Sequence, residues 1–361
     1  MSIYVCYKII VSIIVKLLII CYNVCVPKQS HVGWGAKMKN TFVAVLGATA
    51  SGKSALALAL ASKYNGEIVS CDSMQVYRKM DIGTAKPTAE ERLAVPHHMI
   101  DTVGPDEEFS AGDYSELAGK AIEDIFGRGK LPIVCGGTFL YLDSLTEVSS
   151  YSESSKDGAL REKLAKFASE HGAAALHARL EAVDPESAAA IHENNVKRVI
   201  RAIEIFETTG TPKSVWDKRS KESEPRFGCV RLAILYHDRD LLYRRIDARV
   251  DRMMEEGLLG EAKSLYEAGY LSPDKIASQA IGYKEFIGYF EGALTLEEAT
   301  ESIKQSTRNY AKRQLTWLRR YKDLRVVWGD SEDGRLRGAP DILCDATALL
   351  EESGIKPDGE K

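Results

Sequence analysis

"GATASGKS", residues 47–54, matches the pattern G-x-x-x-x-G-K-[ST] at every fixed position. No other feature restricts the fold as much. Such a loop works only between a buried strand and a helix, because successive backbone N–H groups and the helix start must point at one anion. Both neighbours are present. "TFVAVLG" (41–47) is a short apolar run that reads as a buried parallel strand, and "KSALALALASKY" (53–64) is rich in Ala and Leu and reads as a helix. Gly47, Ala48, Thr49, Ala50, Ser51, Gly52, Lys53 and Ser54 are therefore expected to cradle phosphate, with Lys53 as a point charge and Ser54 placed to hold Mg²⁺. The pattern specifies phosphate more strongly than a nucleotide, since the loop meets no base.

The alternation continues downstream. "GEIVSCDS" (66–73) reads as a second strand ending at Asp72, 111–127 as a helix, and "KLPIVCGGT" (130–138) as a third strand ending in two glycines and Thr138. Strands alternating with helices predict an α/β fold with a parallel, P-loop NTPase-like sheet. Ligands of such sheets sit at the carboxyl ends of the strands, so the phosphate loop, Asp72 and Thr138 should meet at one crevice. A carboxylate beside a hydroxyl suits proton abstraction from an incoming nucleophile. Two plainer readings stay open: Asp72 as a cap or loop acid, and Thr138 as the N-cap of a helix over "FLYLDSL".

The 361 residues suffice for two domains, or for one large domain with an insertion. From about residue 150 the texture changes. "SYSESSKDG" (150–158) reads as a loop, and 159–209 as several helices interrupted at "DPES" (184–187), with "TTGTPKS" (208–214) closing the block. Strand character returns at 230–237, followed by helical patterns at 239–268 and 295–322. The organisation expected is a core of 38–148 and 229–335, a helical insertion over 149–228, and a loosely held polar tail over 336–361. Residues 3–26 are nearly all apolar and long enough to cross a bilayer. They read as an anchor, a targeting peptide or, the favoured expectation, an extension preceding a start at Met38. Only a genuine anchor would bring the chain to a membrane.

Net charge is −4, so no global basic field attracts nucleic acid, and any basic site must be local. The seven cysteines include no Cys-x-x-Cys pair, which fits reduced thiols better than a zinc site or a disulfide framework. His97 and His98 are adjacent and point apart on any regular element, which disfavours a shared metal. Arg245, Arg249 and Arg252 share one helical face, either solvated or clamping a diphosphate. The stretch 303–322 holds seven Lys or Arg and no acid, with Lys304, Arg308 and Lys312 in one stripe and Tyr310, Trp317 and Tyr321 interleaved. Cations neutralise backbone phosphates and aromatics stack bases, although a plain basic face has the same pattern. Lys197, Arg198 and Arg201 form a second cluster on the expected insertion. The two clusters suggest a polyanion held across the cleft between domains. The transferred group is not specified by any of this.

Taken together, the motifs resemble the tRNA dimethylallyltransferase (tRNA isopentenyltransferase) family, bacterial type. The matching stretches are "GATASGKS", "IVSCDSMQVYRKMDIGTAKP" (68–87), "VPHHMID" (95–101), "FSAGDY" (109–114), "PIVCGGTFLY" (132–141), "NNVKRVIRAIEIF" (194–206), "IGYKEF" (281–286) and "KRQLTWLRR" (312–320). The resemblance implies transfer of a dimethylallyl group from dimethylallyl diphosphate to N6 of the adenosine 3′-adjacent to a tRNA anticodon, with Mg²⁺ required; a cytoplasmic monomer is the accompanying expectation. It implies that Asp72 accepts the amine proton, that Thr138 bonds the diphosphate, and that Lys53, Ser54 with Mg²⁺, and Arg245 neutralise the leaving group. It further implies tRNA contacts at Asp72, Ser73, Met74, Gln75, Thr138 and Arg161, and at Lys197, Arg198, Val199, Ile200 and Arg201. The same holds for Gln279, Ala280, Ile281, Gly282, Tyr283 and Lys284, and for Lys312, Arg313, Gln314, Leu315, Thr316, Trp317, Leu318 and Arg319. Gln279 and Lys284 stand where some relatives use arginine, which puts those two contacts in doubt. The tail has no Cys/His zinc module of the kind some eukaryotic relatives carry. Three rivals remain: a transferase acting on free adenine nucleotides, a small-molecule phosphate-loop kinase, and a non-catalytic RNA-binding module.

Overall fold

The computed structural model describes residues 40–146, 157–222, 225–272 and 275–357. The apolar segment 3–26, Met38 and most of the loop read at 150–158 lie outside them. No helix among the described residues is long and apolar enough to cross a membrane.

Strand β1 (Thr41–Gly47) is followed by α1 (Lys53–Lys63), β2 (Gly66–Cys71), α2 (Ala89–Ala94), β3 (His97–His98), α3 (Ala111–Gly127), β4 (Leu131–Gly136) and α4 (Phe139–Thr146). Five helices then run in succession: α5 (Gly158–His171), α6 (Ala173–Val183), α7 (Pro185–Ala190), α8 (Val196–Thr209) and α9 (Lys213–Glu222). The chain returns through β5 (Gly228–Leu235), α10 (Arg239–Glu255), α11 (Leu258–Glu267), α12 (Leu296–Leu318), β6 (Arg325–Trp328) and α13 (Ala339–Glu352). The six strands are parallel, in the order β3-β2-β4-β1-β5-β6. β1 lies near the middle, with Val45 opposite Cys135 on one side and Leu232 on the other. This position demands an apolar residue on both faces, which accounts for the unbroken run in "FVAVL".

Alternation along the strands separates two cores. Phe42, Ala44 and Leu46 face a cluster built with Ile122, Leu142, Val250 and Ile303 from α3, α4, α10 and α12. Val43 and Val45 face Leu56, Leu60, Ala346 and Leu350 from α1 and α13. Here the sequence expectation needs correction. Residues 336–361 are not simply a loose polar tail, since α13 covers the sheet and Ala346, Leu350 and Ile355 are 0% exposed. Ile342, Leu343, Ala346, Leu349 and Leu350 fall on one helical face within an otherwise polar segment.

Helices α5 to α8 pack around a core of their own, including Leu164, Leu176, Leu180, Val199 and Ile203. The "DPES" interruption is a helix start: Asp184 accepts from Ser187 N at 3.0 Å, and Pro185 sits in the first turn. Its other oxygen accepts from Ser214 N at 2.9 Å and so anchors α9, a further helix beyond the point where "TTGTPKS" was expected to close the block.

The opposite end of the sheet is stabilised by charge. Glu67 on β2 is 2% exposed. It accepts from both Arg128 guanidinium nitrogens, from Lys130 Nζ at 2.8 Å and from His98 Nε2 at 2.8 Å. His98 and His97 are thus structural: His97 Nδ1 lies 2.8 Å from Val95 O. The Arg128 guanidinium holds the Glu67 carboxyl far below the ordinary carboxylate range, against the opposing effect of burial. A carboxylate with a depressed folded pKa stabilises the fold above its unfolded value and loses that contribution as pH falls through the folded one. Glu67→Gln is expected to cost about 3 kcal/mol at neutral pH, the scale of an uncompensated buried partner. Urea unfolding at neutral and acid pH checks this: the gap from the parent should narrow as pH falls below the ordinary carboxylate value.

Candidate active site

The phosphate loop is held from three sides. It closes on itself through Ser51 N donating to Ala48 O at 3.2 Å. Gly52 adopts φ 101°, a left-handed value that would strain any side-chain-bearing residue, and it leads straight into α1. Arg245 on α10 donates from Nε to Ala50 O at 2.9 Å, and Tyr236 OH donates to Ser51 O at 2.9 Å. Gln314 on α12 accepts from Thr49 N at 2.8 Å and donates to Gly137 O at 3.0 Å.

Loop and strand ends converge on a crevice of about 230 Å³, whose lining includes Thr49, Asp72, Arg249, Gln279, Tyr310 and Arg313. β2 stops at Cys71, so Asp72 begins the turn that faces this space. Its Oδ1 accepts from Met74 N at 2.9 Å and Gln75 N at 3.4 Å, which realises the cap reading and leaves Oδ2 for the crevice. Thr138 sits behind it. The hydroxyl accepts from Ser73 N at 3.0 Å and donates to Ser73 Oγ at 3.3 Å, while the Thr138 carbonyl accepts from Leu142 N at 3.4 Å at the start of α4. Tyr310 OH donates to Gly137 O at 3.4 Å beside Thr138, with its own phenol pushed up by burial first of all.

Two cations meet this carboxylate. Burial pulls the Lys53 ammonium below its ordinary value, with the Arg249 charge acting the same way and Asp72 opposing. Burial likewise lowers Arg249, again opposed by Asp72. Two desolvated cations and one carboxylate leave a positive excess under a ring of amides, a setting that favours a polyanionic ligand. Among the described residues no three His, Cys, Asp or Glu side chains group to hold a metal. The oxygen donors at hand are Asp72 and the Ser54 hydroxyl, which neighbours the Cys135 side chain. Hard oxygens beside phosphate suit Mg²⁺, which keeps its waters and draws ligands from phosphate.

The expected residues divide clearly. Ser73, Met74, Gln279, Ala280, Ile281, Gly282, Lys284 and Arg313 line the crevice with Asp72. Gln75 is tied inward, accepting from Ser70 Oγ at 2.8 Å and donating to Thr84 O at 3.1 Å. Val199, Ile200, Ala280, Tyr283, Gln314 and Leu318 are buried, so their side chains are unavailable to a large partner. Lys197, Arg198, Lys312, Thr316 and Arg319 are exposed, while Leu315 is half-buried. Arg161 and Arg201 converge on buried Glu204, at 2.8 Å and 2.7 Å. The stripe on α12 is also committed: Lys304 bonds Asp251 and Arg308 bonds Asp247, each at 2.6 Å, joining α12 to α10. Trp317 and Tyr321 donate to Asp143, at 3.2 Å and 2.5 Å, and pack on Phe139, so they are not free to stack bases. Arg252 is exposed and lies outside the crevice lining.

One residue was missed altogether. Glu261 on α11 accepts from the backbone N–H of Asp81 at 2.9 Å, Ile82 at 2.9 Å and Gly83 at 3.1 Å, and from Tyr283 OH at 2.7 Å. It holds two lips of the crevice together, 81–84 and 280–284. Backbone amides carry no sequence signature, so nothing in the chain announced it.

Fold and crevice define an α/β protein of the P-loop NTPase-like class, built to hold a phosphorylated ligand at the carboxyl ends of its strands. A family model described as IPP transferase matches residues 75–321. A tRNA dimethylallyltransferase of Thermoanaerobacter sp. (strain X514) is 46% identical over 289 residues, covering 80% of this chain and 91% of the relative. One from Acetivibrio thermocellus is 48% identical over 296 residues, covering 82% and 93%. The tRNA isopentenylpyrophosphate transferase of Bacillus halodurans superposes with a TM-score of 0.62 at 42% identity, covering 88% of this chain and 98% of that one. A eukaryotic dimethylallyltransferase crystallised acting on tRNA gives a TM-score of 0.75 at 32% identity, covering 89% and 82%. The chain belongs to the tRNA dimethylallyltransferase, or IPP transferase, family.

Proposed function

We propose that this crevice transfers the dimethylallyl group of dimethylallyl diphosphate to N6 of the adenosine 3′-adjacent to a tRNA anticodon. The observation that carries the reading is that Asp72 and Thr49 of the phosphate loop line one cavity walled by α12, which also bears the exposed cations Lys312 and Arg313. The N6 nitrogen bonds to C1 of the donor, the C1–O bond breaks, and diphosphate leaves with the bonding pair. Asp72 takes the amine proton through Oδ2, while Oδ1 stays on the turn amides. Amides of 48–54, Lys53 and Arg249 stabilise the growing negative charge, and Arg245 braces the loop with its NH2 directed towards Gly52. Thr138 fixes Ser73 and so the turn that carries Asp72. Ser54 would hold Mg²⁺ beside the diphosphate, where the ion would supply further neutralisation. The base must leave the anticodon stack to reach Asp72. The enzyme acts in the cytoplasm as a monomer.

Lys312 and Arg313 are the cations placed for RNA. Arg313 lines the crevice and lies 5.6 Å from the Tyr310 ring, and Lys312 lies 5.9 Å from the Tyr243 ring. Replacing both by alanine is expected to weaken tRNA binding and to reduce the log–log salt slope by about 2, one per cation removed. Binding titrations over a salt series read this; an unaltered slope removes the pair from the RNA face. Labelled donor offered with an anticodon stem-loop and with AMP tests the acceptor. Label should pass to the stem-loop and not to AMP, and transfer to AMP alone would make the protein a nucleotide prenyltransferase.

A further inference from the structure

We propose that Gln314 is a positioning residue for the reaction, setting the phosphate loop and the Gly137–Thr138 turn at their working separation, and that it is not an RNA contact. The inference rests on the reading above. Gln314 belongs to the basic stretch of α12, yet its side chain is turned inward, being 4% exposed while Lys312 and Arg313 are exposed. Its amide bridges two strand-end loops distant in sequence. Oε1 accepts from Thr49 N at 2.8 Å, and Nε2 donates to Gly137 O at 3.0 Å. The orientation is fixed by the partners, because a backbone N–H only donates and a backbone carbonyl only accepts. Gly137 records the same approach independently: a Cβ there would lie 2.0 Å from Gln314 Nε2. The second glycine of "CGGT" thus leaves the room that this side chain occupies.

The consequence is geometric. Thr49 lines the crevice at the phosphate loop, and Gly137 immediately precedes the threonine that holds the Asp72 turn. The carboxamide therefore links the diphosphate cradle to the proton acceptor. Among the uncharged side chains, only a carboxamide of this length offers one acceptor and one donor side by side.

Two variants of the full chain test this. Gln314→Met keeps the volume and removes both bonds. It is expected to lower kcat/KM for the donor about 10²-fold, the scale of a small misplacement of reacting groups, and to weaken binding of inorganic diphosphate. Affinity for an anticodon stem-loop should be unchanged. Gln314→Glu keeps the acceptor for Thr49 N, but its carboxylate confronts Gly137 O; protonation restores the donor. Burial raises a carboxyl pKa, so activity relative to the parent at the same pH should climb as the medium is taken from alkaline to mildly acid. A merely structural role predicts a ratio indifferent to pH. A flat ratio, or a Gln314→Met variant that loses stem-loop affinity while keeping its diphosphate affinity, overturns the proposal. Inorganic diphosphate binding needs no transfer. A parent that binds diphosphate without transferring a prenyl group, beside a Gln314→Met variant that binds it weakly, would refute the proposed function and leave the role of Gln314 standing.

Discussion

Asp72→Asn is expected to lower turnover by about 10²–10⁴-fold, the range of general-base catalysis, and to leave tRNA affinity unchanged. Asparagine is the informative replacement. Oδ1 of Asp72 accepts from Met74 N at 2.9 Å, and the asparagine carbonyl can make the same bond. The turn is then preserved, and only the ability to take a proton is lost. Alanine would also release the turn amides and the Ser73 contact to Thr138, mixing two effects. Single-turnover transfer rates, measured with saturating donor and tRNA, isolate the chemical step. A rate equal to that of the parent would assign Asp72 to the cap alone.

Lys53→Met should act chiefly on the donor side. A drop of about 10³-fold in kcat/KM for the donor is expected when a desolvated cation is withdrawn from a departing diphosphate. The same substitution should raise thermal stability. Burial depresses the Lys53 pKa, and Arg249 adds to that depression, so keeping the ammonium charged opposes folding. With the folded pKa below the unfolded one, the unfolded chain binds more protons between the two values. Stability of the parent then rises as pH climbs from the depressed pKa towards 10.5, and the variant lacks that rise. Activity lost with stability gained is the signature of a group retained for function. Melting curves and steady-state kinetics on one preparation read both; a variant that lost stability as well would place Lys53 among the structural groups.

What was legible in the sequence were the features with short-range signatures. "TFVAVLG", the glycine loop and "KSALALALASK" form strand, loop and helix within a few residues of the expected bounds, and Asp72 follows β2 directly. Helical spacing correctly set Lys304, Arg308 and Lys312 along one face. It carried no information on what lies opposite, and so left open whether the stripe is free: Asp247 and Asp251, on the earlier helix α10, take two of the three cations. Arg161 was expected to contact RNA, and the carboxylate it bonds, Glu204, lies 43 residues further along the chain, beyond α6 and α7. Glu261 escaped because three of its four partners are backbone amides. The cover provided by α13 escaped because its apolar face is diluted by acids and polar residues.

The most direct test of the account is nucleoside analysis of unmodified tRNA after incubation with the full chain, dimethylallyl diphosphate and Mg²⁺. One new nucleoside, N6-dimethylallyladenosine, next to the anticodon, with release of diphosphate, is the result predicted. Unchanged tRNA under conditions where the chain instead consumes ATP would contradict it.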